Sequence, residues 1–178
     1  MLETSKALKF LEYFSVITVS DNKIPNFPWK KYQTEKMPIE QFVKQYEYKG
    51  GIIRKRDGKE IPKTDNFGIV TGYDDLECVD VDLKVFSTAK EQKEFWDEFL
   101  QNLQDNILDF EDKFVIYKTK NAGYHILYKT KRVQGNLKIA VLKGHKEAVI
   151  ETRGIGGYIF TYPDKKVSKK SYFEIDYV

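Results

Sequence analysis

Leu76-Glu77-Cys78-Val79-Asp80-Val81-Asp82 is a short apolar run that carries carboxylates at alternate positions near its end. Side chains two apart on a β-strand share a face, so a strand here projects Asp80 and Asp82 together. Aspartate is a poor strand former, and like charges so close repel. A hard divalent cation, Mg2+ or Mn2+, offsets that cost because it prefers oxygen ligands. The plainer alternative is a strand end in water, or acids paired with the many lysines. Taken alone, the D-x-D pattern favours that plainer alternative.

Two segments further along shift the balance. Thr119-Lys120-Asn121-Ala122-Gly123-Tyr124-His125 ends a turn and enters an apolar strand. A histidine there is commonly a satisfied core residue, yet this one follows a small turn flanked by Lys118 and Lys120, a setting suited to phosphate oxygens. Val149-Ile150-Glu151-Thr152-Arg153-Gly154 then sets a single acid in an otherwise apolar strand. Its plain reading is an edge-strand glutamate paired with Arg153 or a lysine.

The surrounding pattern predicts an α+β domain with a mainly antiparallel sheet and helices packed on it. Helical spacing runs over 5–14, a β-branched strand over 16–19, and a second helix from Pro38 to about Tyr46, since proline suits a first helical turn. Residues 49–66 read as a loop or hairpin. Strands are expected at 67–70, 76–82, 113–118, 123–130, 147–152, 157–162 and 171–177. The clearest helix is 88–104, with Phe95, Phe99 and Leu103 on one stripe and Trp96 and Leu100 beside it. No internal domain boundary shows; one domain spans 1–178, with an N-terminal α/β portion (1–66) and a metal-binding portion (67–178).

Composition narrows the class. The chain has 178 residues, 41% hydrophobic and 32% charged, which suits one soluble globular domain with a real core. No apolar run is long enough for a signal peptide or a membrane span, so a cytoplasmic location is expected. A single cysteine, Cys78, excludes an intrachain disulfide, and with only His125 and His145 besides, no zinc site is expected. A net charge of +3 does not diagnose nucleic-acid binding. The basic residues do crowd four stretches: Lys30-Lys31, Lys49 to Lys63, Lys118 to Arg132, and Lys165 to Lys170.

The ordered set of motifs resembles the archaeo-eukaryotic primase superfamily, specifically the primase–polymerase (prim-pol) domains of phage and plasmid replication proteins. Those domains carry a D-x-D strand, a small-x-His strand and a later single acid. Asp80-Val81-Asp82, Gly123-Tyr124-His125 and Ile150-Glu151 match in that order. Lys23-Ile24-Pro25 with Pro28-Trp29-Lys30 is similar to the family's early loop. Gly68-Ile69-Val70-Thr71-Gly72 is similar to its turn before the metal strand, and Gly156-Gly157-Tyr158 also fits. The small residue before the histidine is often serine in the family and is Gly123 here.

The resemblance implies an RRM-like palm beside a small N-terminal α/β unit. It implies that Asp80, Asp82 and Glu151 hold two Mg2+ or Mn2+ ions about 4 Å apart, and that His125 contacts the incoming triphosphate. Lys30, Lys118, Lys120, Gly123 and Arg153 are the further candidates around the nucleotide. The implied activity is transfer of nucleotides from (d)NTPs to a 3′-hydroxyl on a single-stranded DNA template during replication. A fused or separate helicase and a helical accessory domain are the implied partners; no membrane is. Two other readings stand beside it: a non-catalytic RRM-like nucleic-acid-binding module, and a metal-dependent nuclease in which Glu151-Thr152-Arg153 replaces the usual acid-x-lysine.

Overall fold

A computed structural model describes residues 8, 10–48, 52–53, 58, 60–61, 66–119 and 121–161. They form two compact units. One runs as far as Asp74 and includes the described residues from Ile155 on; the other is Asp75–Gly154.

The first unit holds helical residues 10–13 (α1), strand β1 (Val16–Val19), helix α2 (Ile39–Glu47), a two-stranded ribbon of β2 (Ile52–Ile53) and β3 (Glu60–Ile61), and strands β4 (Asn66–Val70) and β10 (Tyr158–Thr161). Strand β4 lies between β1 and β10, antiparallel to both. Every residue of β1 and β4 is buried, which fits their near-continuous apolar runs. Pro38 caps α2, whose Phe42 and Tyr46 enter the core. Two of the softer sequence features meet here. The Tyr158 hydroxyl donates to the Lys23 carbonyl, and the Trp29 ring meets Tyr158 edge-on at 5.1 Å.

The second unit is a five-stranded antiparallel sheet built from β5 (Leu76–Asp82), β6 (Val115–Lys118), β7 (Gly123–Lys129), β8 (Leu137–Val141) and β9 (Ala148–Arg153), in the order β6-β7-β5-β9-β8. Helix α3 (Ala89–Asn106) and the short α4 (Phe110–Lys113) connect β5 to β6. Strands β5 and β6 run the same way with β7 between them, so β5-α3-β6 is a split β-α-β unit.

A capping box starts α3: Thr88 Oγ1 accepts from the Glu91 N–H, and the Glu91 carboxylate accepts from the Thr88 N–H. Its stripe of Phe95, Trp96, Phe99, Leu100 and Leu103 packs on Val79, Val81, Ile116 and Ile126. Trp96 lies flat on Tyr124, ring centres 3.5 Å apart. This packing decides which face each strand residue takes. With Val79 and Val81 under the helix, pleating sends Cys78, Asp80 and Asp82 to the opposite face.

The expected α+β class and antiparallel sheet are what the chain forms. Several details differ. Residues 67–70, grouped in the sequence reading with the metal-bearing strands, pair within the first unit instead. Strand β8 lies outside the expected strands although Leu137, Ile139 and Val141 recur at period two; it is an edge strand, and these three residues stay exposed. Residues 110–113, where a strand was expected to begin at 113, are helical. The strand expected at 171–177, most of the Lys49 to Lys63 stretch, the Lys165 to Lys170 stretch and Lys120 lie outside the described residues.

Candidate active site

The cross-strand register assembles the site. Tyr117 pairs with His125, His125 with Asp80, Asp80 with Glu151, and Glu151 with Lys138. These five residues, one from each strand, form a single row across the sheet on the face away from α3. Asp82 stands two residues along β5 from Asp80 and opposite Gly123.

Asp80 occupies the middle of the row. Its Oδ1 is 3.5 Å from His125 Nε2, and its Oδ2 is 3.5 Å from Arg153 Nε. The same guanidinium bonds Glu151 through Nη2. One cation thus lies against two half-buried carboxylates. Burial holds the Glu151 carboxyl above its ordinary value; Arg153 opposes this, and the negative charge of Asp80 reinforces it. Strand β9 lies between β5 and β8, so Glu151 is an interior residue and not on the edge strand that its plain reading supposed.

Asp82 is differently engaged. Lys84 reaches it at 2.8 Å through Nζ and also bridges to Glu147 at 3.2 Å, while the Lys84 backbone N–H donates to Asp82 Oδ1 at 3.2 Å. Among the described residues, no three His, Cys, Asp or Glu side chains converge on one point able to hold a metal ion. The donor chemistry nonetheless suits a hard divalent cation: two carboxylates face each other directly, a third lies on the same face, and the spot already attracts a positive group.

His125 is buried, and its Nδ1 lies 2.8 Å from the Tyr117 hydroxyl. The Tyr117 ring meets the imidazole edge-on at 5.0 Å. The histidine is therefore both a satisfied core residue and a neighbour of Asp80, which joins the two readings of it. Tyr117 is the site residue that the sequence reading missed. A hairpin centred on Asn121 sets residues equidistant from that centre opposite each other, and this was the available signal.

Gly123 is fixed by close approach. A Cβ at this position would lie 2.4 Å from the Val81 carbonyl oxygen and 3.0 Å from Thr119 Oγ1. The serine common in the resembled family has no room here without a shift of β5 or β7. Ala122, at φ 49°, passes the turn, and its carbonyl accepts from the Leu83 N–H at 3.0 Å. Cys78, on the same face, is fully buried, and burial raises its thiol well above the usual range, so it is an inert neighbour.

The structure separates the remaining candidates. Arg153 sits in the site. Lys118 pairs with Tyr124, not His125, and pleating directs it to the α3 face. Lys30 opens a 3-10 helix in the first unit and is exposed.

The family model described as bifunctional DNA primase/polymerase, N-terminal (Prim-Pol), matches residues 7–175. The chain belongs to the Prim-Pol family. Comparison with curated proteins finds no match. Membership gives the Prim-Pol chain a DNA primase/polymerase-type function, with DNA and nucleotides as the substrate classes. No helix among its described residues is long and apolar enough to cross a membrane.

Proposed function

We propose that this Prim-Pol domain is a metal-dependent nucleotidyltransferase that adds nucleotides from (d)NTPs to a 3′-hydroxyl on a single-stranded DNA template. The observation that carries the reading is the in-register row in which Asp80 has His125 on one side and Glu151 on the other. Asp80, Asp82 and Glu151 are the residues that would hold Mg2+ or Mn2+. When bound, such ions supply charge neutralisation to the triphosphate and acidify the attacking hydroxyl.

The chain's own contribution is positioning and charge, which is most of what phosphoryl transfer asks of a protein. His125, packed by Tyr117 and fixed by the register, offers a hydrogen-bond donor to a phosphate oxygen. Arg153 offers a planar fork of donors suited to phosphate once it leaves the carboxylates. Beneath these groups, on the opposite face of the sheet, the apolar stripe of α3 packs on Val79, Val81, Ile116 and Ile126. Template binding would rest on backbone charge and base stacking.

Primer extension and de novo synthesis on a single-stranded template, with Mg2+ or Mn2+ and each nucleotide type, test the reading. Asp80→Ala and Glu151→Ala are expected to lose incorporation by about 100-fold or more while remaining folded, on the scale of lost electrostatic stabilisation in other active sites. An unaltered rate in either variant would overturn the assignment. A second reading is a non-catalytic nucleic-acid-binding module. It draws on one observation: Arg153 and Lys84 already satisfy the three carboxylates. That reading expects no specific Mn2+ binding, so a metal titration separates the two.

A further inference from the structure

We infer that Tyr117 is a positioning residue that holds His125 in the Nε2–H tautomer, so that its site-facing nitrogen is a donor. The inference rests on the proposed contact between His125 and a nucleotide phosphate, and it names the device that makes such a contact chemically possible. A phosphate oxygen near neutral pH accepts hydrogen bonds. An imidazole nitrogen facing it must therefore carry a proton, and a neutral imidazole carries only one.

The geometry selects which nitrogen that is. Tyr117 Oη lies 2.8 Å from Nδ1, and Asp80 Oδ1 lies 3.5 Å from Nε2. If the proton were on Nδ1, the Nε2 lone pair would face a carboxylate. With the proton on Nε2, that contact becomes attractive, and the Tyr117 hydroxyl donates to the vacated Nδ1. The Asp80 carboxylate, an acceptor only, selects this tautomer, and the Tyr117 hydroxyl, a stronger donor than acceptor, locks it by donating to Nδ1. The tyrosine is buried, its ring packs edge-on against the imidazole, and cross-strand pairing of β6 with β7 fixes the pair. Ring direction is thus set from the side remote from Asp80, and the Tyr117 hydroxyl completes the tautomer that the Asp80 carboxylate favours.

Tyr117→Phe isolates the hydroxyl, because it keeps the ring and its packing. The chain has only two histidines, so 15N-labelled imidazole spectra hold two ring systems, and His145→Gln assigns them. In the wild type, His125 is expected as the Nε2–H tautomer. In Tyr117→Phe, Nδ1 loses its donor, and an increased share of the Nδ1–H form is expected. Steady-state primer extension by the same variant is expected to show a several-fold higher KM for the nucleotide with kcat little changed.

A wild-type spectrum showing the Nδ1–H form overturns the inference whether or not the variant folds. So does a folded Tyr117→Phe with unchanged tautomer and unchanged KM. Failure of the underlying functional reading looks different: His125→Ala would leave the nucleotide KM unmoved while the tautomer measurement still judged Tyr117.

Discussion

Asp80 and Glu151 face each other directly across β5 and β9, and one guanidinium, that of Arg153, lies against both carboxylates. Like charges opposite each other destabilise a sheet, and partial burial adds to the cost. The arrangement carries a stability cost that Arg153 offsets in part, with measurable consequences at the particular residues involved.

Glu151→Gln should raise the melting temperature near neutral pH. Burial, reinforced by Asp80, raises the folded-state value of Glu151 above the ordinary 4.5. Between the two values the folded chain binds more protons than the unfolded one, so this residue's contribution to stability falls as pH rises through that window. Above the window, the wild type bears the full cost; glutamine, which has no charge, does not, and it still accepts a bond from Arg153. Melting curves across the acidic and neutral range should show the variant's advantage shrinking as pH falls. A variant less stable than wild type at neutral pH would contradict this account.

Arg153→Gln should bind Mn2+ several-fold more tightly than wild type. The guanidinium competes with any divalent cation for Asp80 and Glu151, and removing a competitor strengthens binding of the other ligand. Titration calorimetry on the folded variant reads this without any turnover. Equal or weaker Mn2+ affinity would show that Arg153 does not occupy the position a metal needs.

The amino-acid pattern made the three acid- and histidine-bearing strands legible because each is a short apolar run interrupted by its polar candidate. Asp80 and Asp82 interrupt an apolar run at period two, and Glu151 is the lone acid between Ile150 and Thr152. The site's membership was less legible. That Asp80 faces both His125 and Glu151 depends on β5 lying between β7 and β9, an order that local pattern does not encode. Lys118 looked like a neighbour of the histidine by sequence proximity, and the pleat sends it to the other face. Strand β8 was legible in principle, since Leu137, Ile139 and Val141 recur at period two, whereas nothing local says that the partners of Asn66–Val70 are Val16–Val19 and Tyr158–Thr161.

Gly123→Ala should destabilise the domain by about 1–3 kcal/mol, the usual range for forcing extra atoms into a packed site. The added methyl would meet the Val81 carbonyl oxygen at 2.4 Å, so β5 and β7 must separate beside Asp82 and His125. Gly123→Ser should cost a similar amount even though it restores the residue common in the family. Urea unfolding of both variants checks this; a serine variant as stable as wild type would mean that the strands yield more easily than their register suggests.

Tyr128→Phe should cost about 1–3 kcal/mol, the range for leaving a buried polar group short of a partner. Glu77 is buried on the α3 face, where its carboxylate accepts from the Tyr128 hydroxyl at 2.6 Å and from the Gln134 N–H at 3.0 Å. Through Gln134 this acid ties down the loop that leads into β8. The Gln134 carbonyl oxygen closes on Gly154, where an added Cβ would fall 1.9 Å from it. Losing the tyrosine hydroxyl leaves that carboxylate with one donor fewer in a place water reaches poorly. Burial, aided by Glu77, pushes the phenol far above its ordinary value of 10.0, so the neutral, donating form is the one the fold keeps. A chain of this size should then melt about 2–4 °C lower for each kcal/mol lost. An unchanged melting temperature would mean that Glu77 finds another donor, and that the loop into β8 is held by the close approach at Gly154 alone.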